Sequence, residues 1–122
     1  MDFYCHPRCS TCKKAKKFLD EHAVHYEEKN LLEESLEKEE WVQILSQTDR
    51  TLKSFFNTSG NVYRENNLKE KLPDMTTEEA AEWLSSNGMV VKRPFAISGS
   101  TCTSGFKEEE YKQVWLNKGE TV

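Results

Sequence analysis

The fold is decided by residues 2–12, DFYCHPRCSTC, where a short apolar stretch runs into two closely spaced cysteines. Residues 2–5 are typical of a short strand, which should stop at His6-Pro7. We expect Ser10 or Thr11 to cap a helix that runs to about His22. In that helix apolar residues recur at helical spacing on one face and lysines occupy the other.

A second short strand is predicted over residues 24–27, which completes a compact βαβ unit with parallel strands and a right-handed crossover. Residues 31–88 carry helical patterns, among them a capping box at Thr76-x-x-Glu79 and a helix end at Asn87-Gly88. Strand patterns return at 89–91, 95–97 and 101–103, and a last helix follows Gly105. We therefore predict an α/β fold in which a mixed four-stranded sheet (βαβ…ββα) receives a helical insert between its second and third strands.

The length, composition and charge of the chain limit the classes of function that it could have. The chain has 122 residues, enough for one domain with its own core, and its net charge of −4 argues against a general nucleic-acid binder. No apolar run is long enough to span a bilayer. Met1 leads directly into a strand pattern without the regions of a signal peptide, so we expect a cytoplasmic location, where thiols stay reduced. Four cysteines in that compartment are more often catalytic or metal-binding than structural.

Cys9 and Cys12 form a Cys-x-x-Cys pair at the strand–helix junction, which is typical of a redox site in a βαβ unit. The positive end of the helix dipole, with Arg8 beside it, favours a thiolate at Cys9. Cys12 lies one turn further on, within disulfide reach. We expect Cys9 to attack as nucleophile and Cys12 to resolve the intermediate as a Cys9–Cys12 disulfide. This chemistry needs no metal or organic cofactor, and glutathione is a candidate co-substrate.

The same cysteines allow two other interpretations. They could be buried, reduced and without a role. They could also bind a metal, since Cys5, Cys9 and Cys12 spell Cys-x3-Cys-x2-Cys, which resembles the cluster-binding loop of radical S-adenosylmethionine enzymes. Zinc would need a fourth ligand, from His6 or Cys102. We expect Cys102, on a predicted strand, to be a small buried apolar side chain instead.

Four separated motifs occur in one order along the chain: YxxPxCxTCxKA at 4–15, FFNTSG at 55–60, KRP at 92–94 and GF at 105–106. In these motifs the chain resembles the arsenate reductase-like and Spx-like branch of the thioredoxin superfamily, and it looks closest to a glutaredoxin-like subgroup. The resemblance implies a thioredoxin-like fold for a single domain over 1–122, with a helical insert at about 31–88. It also implies a cis bond before Pro94 that directs Arg93 toward Cys9, ready for an anionic substrate or a partner peptide.

The first function that the resemblance implies is thiol–disulfide exchange. The substrate would be a disulfide-bearing protein or glutathione, and glutaredoxin or thioredoxin would be candidate reductants. The substrate site would then be lined by Arg8, Ser10, Thr11, Arg93 and Pro94. We expect a monomer that contacts neither nucleic acid directly nor a membrane.

Two alternative functions stay open. Glutaredoxin-coupled arsenate reductases of this kind use one cysteine and three arginines. Cys9 and Arg93 match two of those positions, whereas Asn57 or Thr58 and the region of Ser104 stand where the other arginines are expected, and Arg64 is a candidate substitute. Spx-like regulators, which bind RNA polymerase, share the cysteine pair and the Arg-Pro motif.

Overall fold

The structure is a computed structural model and describes residues 1–6, 8–48, 50–86, 88–99 and 101–116. Contacts between residues divide the chain into two compact units. One unit comprises Met1–Asn30 together with the chain from Arg93 onward, and the other comprises residues 31–92. The single domain over 1–122 stays a prediction. No helix in the described ranges combines the length and apolar character that crossing a bilayer requires.

Four strands and six α-helices alternate with short 3₁₀ turns along the described chain. In chain order they are β1 (Asp2–Cys5), α1 (Ser10–Glu21), β2 (Glu27–Asn30), α2 (Lys38–Gln47), a 3₁₀ turn (Leu52–Phe55), α3 (Asn61–Glu65), α4 (Leu68–Lys71), a 3₁₀ turn (Leu72–Asp74), α5 (Thr77–Ser86), a 3₁₀ turn (Gly88–Val90), β3 (Phe95–Ser98), β4 (Thr101–Ser104), and α6 (Glu108–Tyr111) with a π-helical turn (Lys112–Leu116).

The first unit is built on one mixed sheet in the order β2-β1-β3-β4. Strand β1 pairs parallel with β2 and antiparallel with β3, and β4 pairs antiparallel with β3. The segments between β2 and β3 are helical. This arrangement confirms the predicted α/β, thioredoxin-like fold with its βαβ…ββα order and its helical insert.

The core of the first unit forms where α1 and α6 cover one face of the sheet. Apolar side chains of α1 recur three or four residues apart, so they share one face, and alternate residues of β1 point the same way. The cluster consists of Phe3, Cys5, Cys12, Ala15, Phe18, Leu19, Ala96, Tyr111 and Trp115. Two of its members, on β1 and α1, are cysteines.

Two sequence predictions need correction in this unit. The N-cap of α1 is Cys9 itself, whose sulfur accepts the Cys12 N–H, so neither Ser10 nor Thr11 fills that position. Strand β2 begins at Glu27, three residues later than the predicted strand, because the chain first turns through Ala23 at φ 55°. Burial of apolar side chains in residues 24–26 produced the strand-like pattern, although the pairing with β1 starts after them.

In the second unit α2 packs against α5. The predicted capping box of α5 is confirmed: the Glu79 N–H donates to Thr76 Oγ1 at 3.1 Å and the Thr76 N–H donates to Glu79 Oε1 at 3.2 Å. The Asn87 part of the predicted helix end lies outside the described residues. The strand predicted over 89–91 is wrong, since Gly88–Val90 forms a 3₁₀ turn and Val91 makes only an isolated bridge to Phe56. Burial of Val90 and Val91 explains the misleading apolar run.

Candidate active site

The Cys-x-x-Cys pair lies at the first turn of α1. Cys9 has an extended backbone, with φ −85° and ψ 114°, and its Sγ accepts the Cys12 N–H at 3.3 Å. Its own N–H donates to the His6 carbonyl at 3.1 Å, and its carbonyl accepts the Lys13 N–H at 3.3 Å. The sulfur of Cys9 is therefore held against the N-terminal end of the helix, where unpaired N–H groups stabilise negative charge.

The two cysteines of the pair differ in accessibility. Cys9 is half-buried and can be reached from solvent, whereas Cys12 is only 1% exposed and belongs to the core. Both are free thiols, as are Cys5 and Cys102. Of the two sulfurs, Cys9 is therefore the one accessible from solvent.

A third cysteine lies in the same core cluster as Cys12. Cys5, at the end of β1, is 3% exposed and shares the core cluster with Cys12. Each of these two thiols also shifts the pKa of the other. The sequence motifs predict no part for Cys5 in the redox site. The signal that could have found it was the alternation in β1, which places Phe3 and Cys5 on the face that α1 covers.

The three thiols have different acidities. Hydrogen bonding from Cys5, assisted by a hydrogen bond from Cys9 and opposed by burial, lowers the pKa of Cys12 to about 6. Burial, and then the hydrogen bond to Cys12, raises the pKa of Cys9, against the lowering effect of the Cys12 N–H. The hydrogen bond to Cys12, and then burial, raises the pKa of Cys5. The pKa shifts of Cys9 and Cys12 thus have opposite directions, and the thiolate expected at Cys9 stays a prediction.

The cation that acts on both cysteines of the pair is Arg93. Its charge lowers the pKa of Cys9 and of Cys12. Arg8, predicted to supply that charge, is exposed, and its N–H donates to His6 Nδ1 at 3.1 Å. Burial, then the charge of Arg93 and that of Arg8, lowers the pKa of His6. The charges of both arginines thus lower the pKa of His6, and that of Arg93 also lowers the pKa of the two cysteines.

The Arg93–Pro94 peptide bond is cis, as predicted from the resemblance. Pro94 is buried, Arg93 is half-buried, and the Pro94 carbonyl accepts the Gly105 N–H at 2.9 Å. Strand β3 begins at the next residue. The cis-proline segment and the cysteine pair thus belong to the same compact unit.

The remaining predicted residues are placed as follows. Ser10 is exposed and Thr11 is half-buried at the start of α1, so both border Cys9 along the chain. Cys102 is half-buried on β4, which corrects its prediction as a buried side chain. Arg64, the candidate substitute arginine, donates to the Ser59 carbonyl and to Asn61 Oδ1, both at 3.2 Å. Within the described ranges, no three His, Cys, Asp or Glu side chains are grouped so that they could hold a metal ion.

The sheet order, the cysteine pair at the start of the first helix and the cis-proline before β3 define a thioredoxin-like α/β protein. The sequence profile of the ArsC family matches residues 4–114. The chain therefore belongs to the ArsC family, in the arsenate reductase-like and Spx-like branch of the thioredoxin superfamily.

Three similar proteins illustrate the membership. The protein YusI of Bacillus subtilis (strain 168) is 45% identical over 115 residues, which cover 94% of this chain and 98% of YusI. The global transcriptional regulator Spx of Streptococcus agalactiae serotype V is 31% identical over 106 residues, covering 87% of this chain and 76% of the regulator. The crystal structure of an ArsC family related protein from Bacteroides fragilis has a TM-score of 0.86 at 40% identity, covering 93% of this chain and 97% of that protein.

Proposed function

We propose that the chain is a thiol–disulfide oxidoreductase in which Cys9 attacks a substrate disulfide and Cys12 resolves the mixed disulfide. The observation that carries the proposal is that the accessible sulfur of Cys9 accepts the backbone N–H of the buried Cys12 at 3.3 Å. The lowered pKa of Cys12, about 6, supports it. At neutral pH such a pair already holds one thiolate, which is the species that reacts.

The reaction begins with a proton transfer inside the pair. The Cys12 thiolate takes the proton of the Cys9 thiol, and the Cys9 sulfur attacks one sulfur of the substrate disulfide. A Cys9–substrate disulfide forms and the second substrate sulfur leaves as a thiolate, which accepts a proton. Cys12 then loses its proton and attacks Cys9, which releases the first substrate sulfur as a thiol. Two electrons have passed from the cysteine pair to the substrate, and the pair remains as a Cys9–Cys12 disulfide.

The substrate class follows from the charge at the site. Arg93, half-buried, offers a guanidinium to a carboxylate of the substrate, and glutathione carries two such groups. The proposed substrate is a disulfide-bearing protein or a glutathione-mixed disulfide. It would bind beside Arg8, Ser10 and Thr11. A dithiol protein such as thioredoxin, or glutaredoxin with glutathione, would restore the reduced pair, and the reaction itself needs no bound cofactor. The cytoplasmic location predicted from the sequence would supply these reductants.

Matched cysteine variants test this function. With a glutathione-mixed disulfide as substrate, the wild type should release glutathione and form an internal disulfide. Cys9→Ser should show no reaction above the uncatalysed rate. Cys12→Ser should stop after the first step and accumulate a Cys9–glutathione adduct, visible by mass spectrometry. A parallel experiment incubates the protein with arsenate and with thioredoxin, or with glutaredoxin and glutathione, as the reductant. Arsenite production without turnover of the mixed disulfide would replace this proposal with arsenate reduction.

A redox-switched regulator is the second candidate, favoured by the 31% identity with the regulator Spx of Streptococcus agalactiae. In that function the Cys9–Cys12 disulfide would change the affinity for a protein partner, and RNA polymerase is the partner to test. Purified polymerase should then retain the chain in one redox state more strongly than in the other. Equal retention of the oxidised chain, the reduced chain and a Cys9→Ser variant would eliminate this candidate.

A further inference from the structure

His6 is a histidine beside the nucleophile that the proposed reaction does not use. It follows β1 directly and accepts two successive backbone N–H groups. Its ring Nδ1 accepts the Arg8 N–H at 3.1 Å, and its carbonyl accepts the Cys9 N–H, also at 3.1 Å. The two amides that lead the chain into Cys9 therefore both donate to this one residue, the first to its side chain and the second to its backbone.

The ring bond determines the chemical form of His6. A backbone N–H can only donate, so the ring nitrogen that accepts it carries no proton. The single proton of the neutral imidazole then lies on Nε2. An imidazolium carries a proton on each nitrogen and cannot accept the bond. His6 therefore holds the Arg8 amide only while its ring is neutral.

The surroundings of His6 favour the neutral ring. Its pKa is lowered from the ordinary value of 6.5, first by burial and then by the positive charges of Arg93 and Arg8. Arg8 comes from the same connection between β1 and α1, and Arg93 comes from the segment before β3. The thiols of Cys9 and Cys12 are the titratable groups at the start of α1. Because a protonated ring would add a third positive charge to those of the two arginines, the ring is an acceptor at neutral pH.

The two bonds to His6 help to determine where the sulfur of Cys9 lies. On the helix side, that sulfur accepts the Cys12 N–H at 3.3 Å. On the strand side, the amides of Arg8 and of Cys9 itself are held by His6. Attack on a disulfide needs a sulfur that points in one direction, and a small displacement of a reacting atom lowers the rate. A bond that fixes the backbone immediately before Cys9 therefore bears on the reaction.

We infer that His6 is a positioning residue of the proposed thiol–disulfide site, whose neutral ring accepts the Arg8 amide through Nδ1 and thereby holds Cys9 in the orientation for attack on the substrate disulfide. The inference rests on the proposed function. His6 forms no bond to the substrate and transfers no proton in the reaction. Because a proton on Nδ1 breaks the bond to the Arg8 amide, protonation of the ring slows the attack by Cys9.

Three variants separate the two ring nitrogens. His6→Asn places an amide oxygen where Nδ1 lies, and asparagine commonly accepts the N–H two residues further on. His6→Gln places its amide near the position of Nε2, and His6→Ala has no acceptor. With a glutathione-mixed disulfide as substrate, kcat/KM of His6→Ala and of His6→Gln should fall about fivefold, whereas His6→Asn should stay within about twofold of the wild type. Rescue by His6→Gln in place of His6→Asn would overturn the inference.

The pH profile is a readout that loss of packing would not change. The ratio of the wild-type rate to the His6→Asn rate removes the ionisation of the cysteines, which both proteins share. This ratio should be about one at pH 8 and fall toward about one-fifth as the ring gains its proton below pH 6.5. A ratio that does not change with pH would overturn the inference. So would a ratio that rises at low pH, because the added charge would then activate Cys9.

Nuclear magnetic resonance tests the bond itself without catalysis. Nitrogen-15 shifts of the His6 ring at pH 7 should show a proton on Nε2 and none on Nδ1. The Arg8 amide should exchange its hydrogen with solvent about fivefold more slowly in the wild type than in His6→Ala. A proton on Nδ1, or equal exchange in the two proteins, would overturn the inference.

Failure of this role and failure of the proposed function give different results. Equal kcat/KM values for the wild type, His6→Ala and His6→Asn, in a wild type that turns over the mixed disulfide, reject only the role of His6. If the wild type does not turn over the mixed disulfide, the proposed function fails. The rate at which iodoacetamide alkylates Cys9 in the same variants then decides whether His6 positions that sulfur, and equal rates reject it.

Discussion

Cys9 combines two tasks that different substitutions can separate, since it caps α1 with its sulfur and presents that sulfur to solvent. Serine is a good N-cap residue and alanine is a poor one. We expect Cys9→Ser to unfold at nearly the wild-type urea concentration, whereas Cys9→Ala should lose about 1 kcal/mol of stability. Both variants should be inactive in disulfide exchange. Equal stability of the two variants would show that the cap contributes nothing.

The acidity of Cys12 also predicts how stability depends on pH. Its pKa is lowered from the model-peptide value of 9.0 to about 6, so the thiolate stabilises the reduced fold above pH 9 and this contribution is lost as the pH falls through about 6. Between these values the free energy of unfolding should rise with pH. Urea denaturation of the reduced protein at pH 6 and at pH 8 measures the rise, and Cys12→Ser should remove it. A rise of the same size in Cys12→Ser would assign the effect to other groups.

The raised pKa values of Cys5 and Cys9 act in the opposite direction at higher pH. These thiols ionise more readily in the unfolded chain than in the native fold, so each destabilises the fold once the pH exceeds its ordinary value. The rise due to Cys12 should therefore end near pH 9, followed by a decline. The pH dependence of stability thus depends on Cys5, Cys9 and Cys12 together.

At the level of single elements, the close approach at the 3₁₀ turn Gly88–Val90 gives a sharp prediction. A Cβ at Gly88 would clash with the Leu31 carbonyl oxygen, which is backbone and cannot move aside freely. We expect Gly88→Ala to cost about 2 kcal/mol of stability. Gly60→Ala is the matched control, because its Cβ meets the flexible end of the Asn57 side chain at 2.8 Å. Similar denaturation midpoints for the two variants would contradict this account.

Elements with local signals were predictable from the sequence. Strand β1, helix α1 and the capping box of α5 depend on residues within one or two turns, and their patterns identified them. Strand β2 and residues 89–91 were misplaced because apolar residues there are buried without being paired in the sheet. Hydrophobic periodicity reports burial, whereas strand pairing depends on partners that are distant in sequence.

The candidate site likewise combines features that local sequence predicted with features that depend on distant contacts. The Cys-x-x-Cys pair at the start of α1 and the cis bond before Pro94 followed from motifs. The effect of Cys5 on the acidity of Cys12 depends on how β1 packs against α1. That packing joins segments that are separate in sequence, so no single stretch of the chain could predict it. Arg93 acquired its electrostatic role in the same way, whereas the charge adjacent in sequence, on Arg8, lies in solvent.

For the molecule as a whole, the predicted single domain can be tested through the two compact units. Gly88 belongs to the unit of residues 31–92, whereas Cys12 belongs to the other. In a single cooperative domain, a loss of about 2 kcal/mol at Gly88→Ala should speed alkylation of the buried Cys12 thiol about thirtyfold, since labelling requires global unfolding. Mass spectrometry after pulsed labelling gives the rate. An unchanged rate would show that the two units unfold independently.

The order of the strands also determines which strands lie at the edges of the sheet, where a strand of another chain could be added. Strands β2 and β4 are its outer strands. The β2 segment is Glu-Glu-Lys-Asn, and charged side chains at a sheet border discourage the addition of a foreign strand. The β4 segment is Thr-Cys-Thr-Ser, uncharged and only four residues long. Addition of a foreign strand is therefore opposed by charge and by shortness at β2, and by shortness alone at β4.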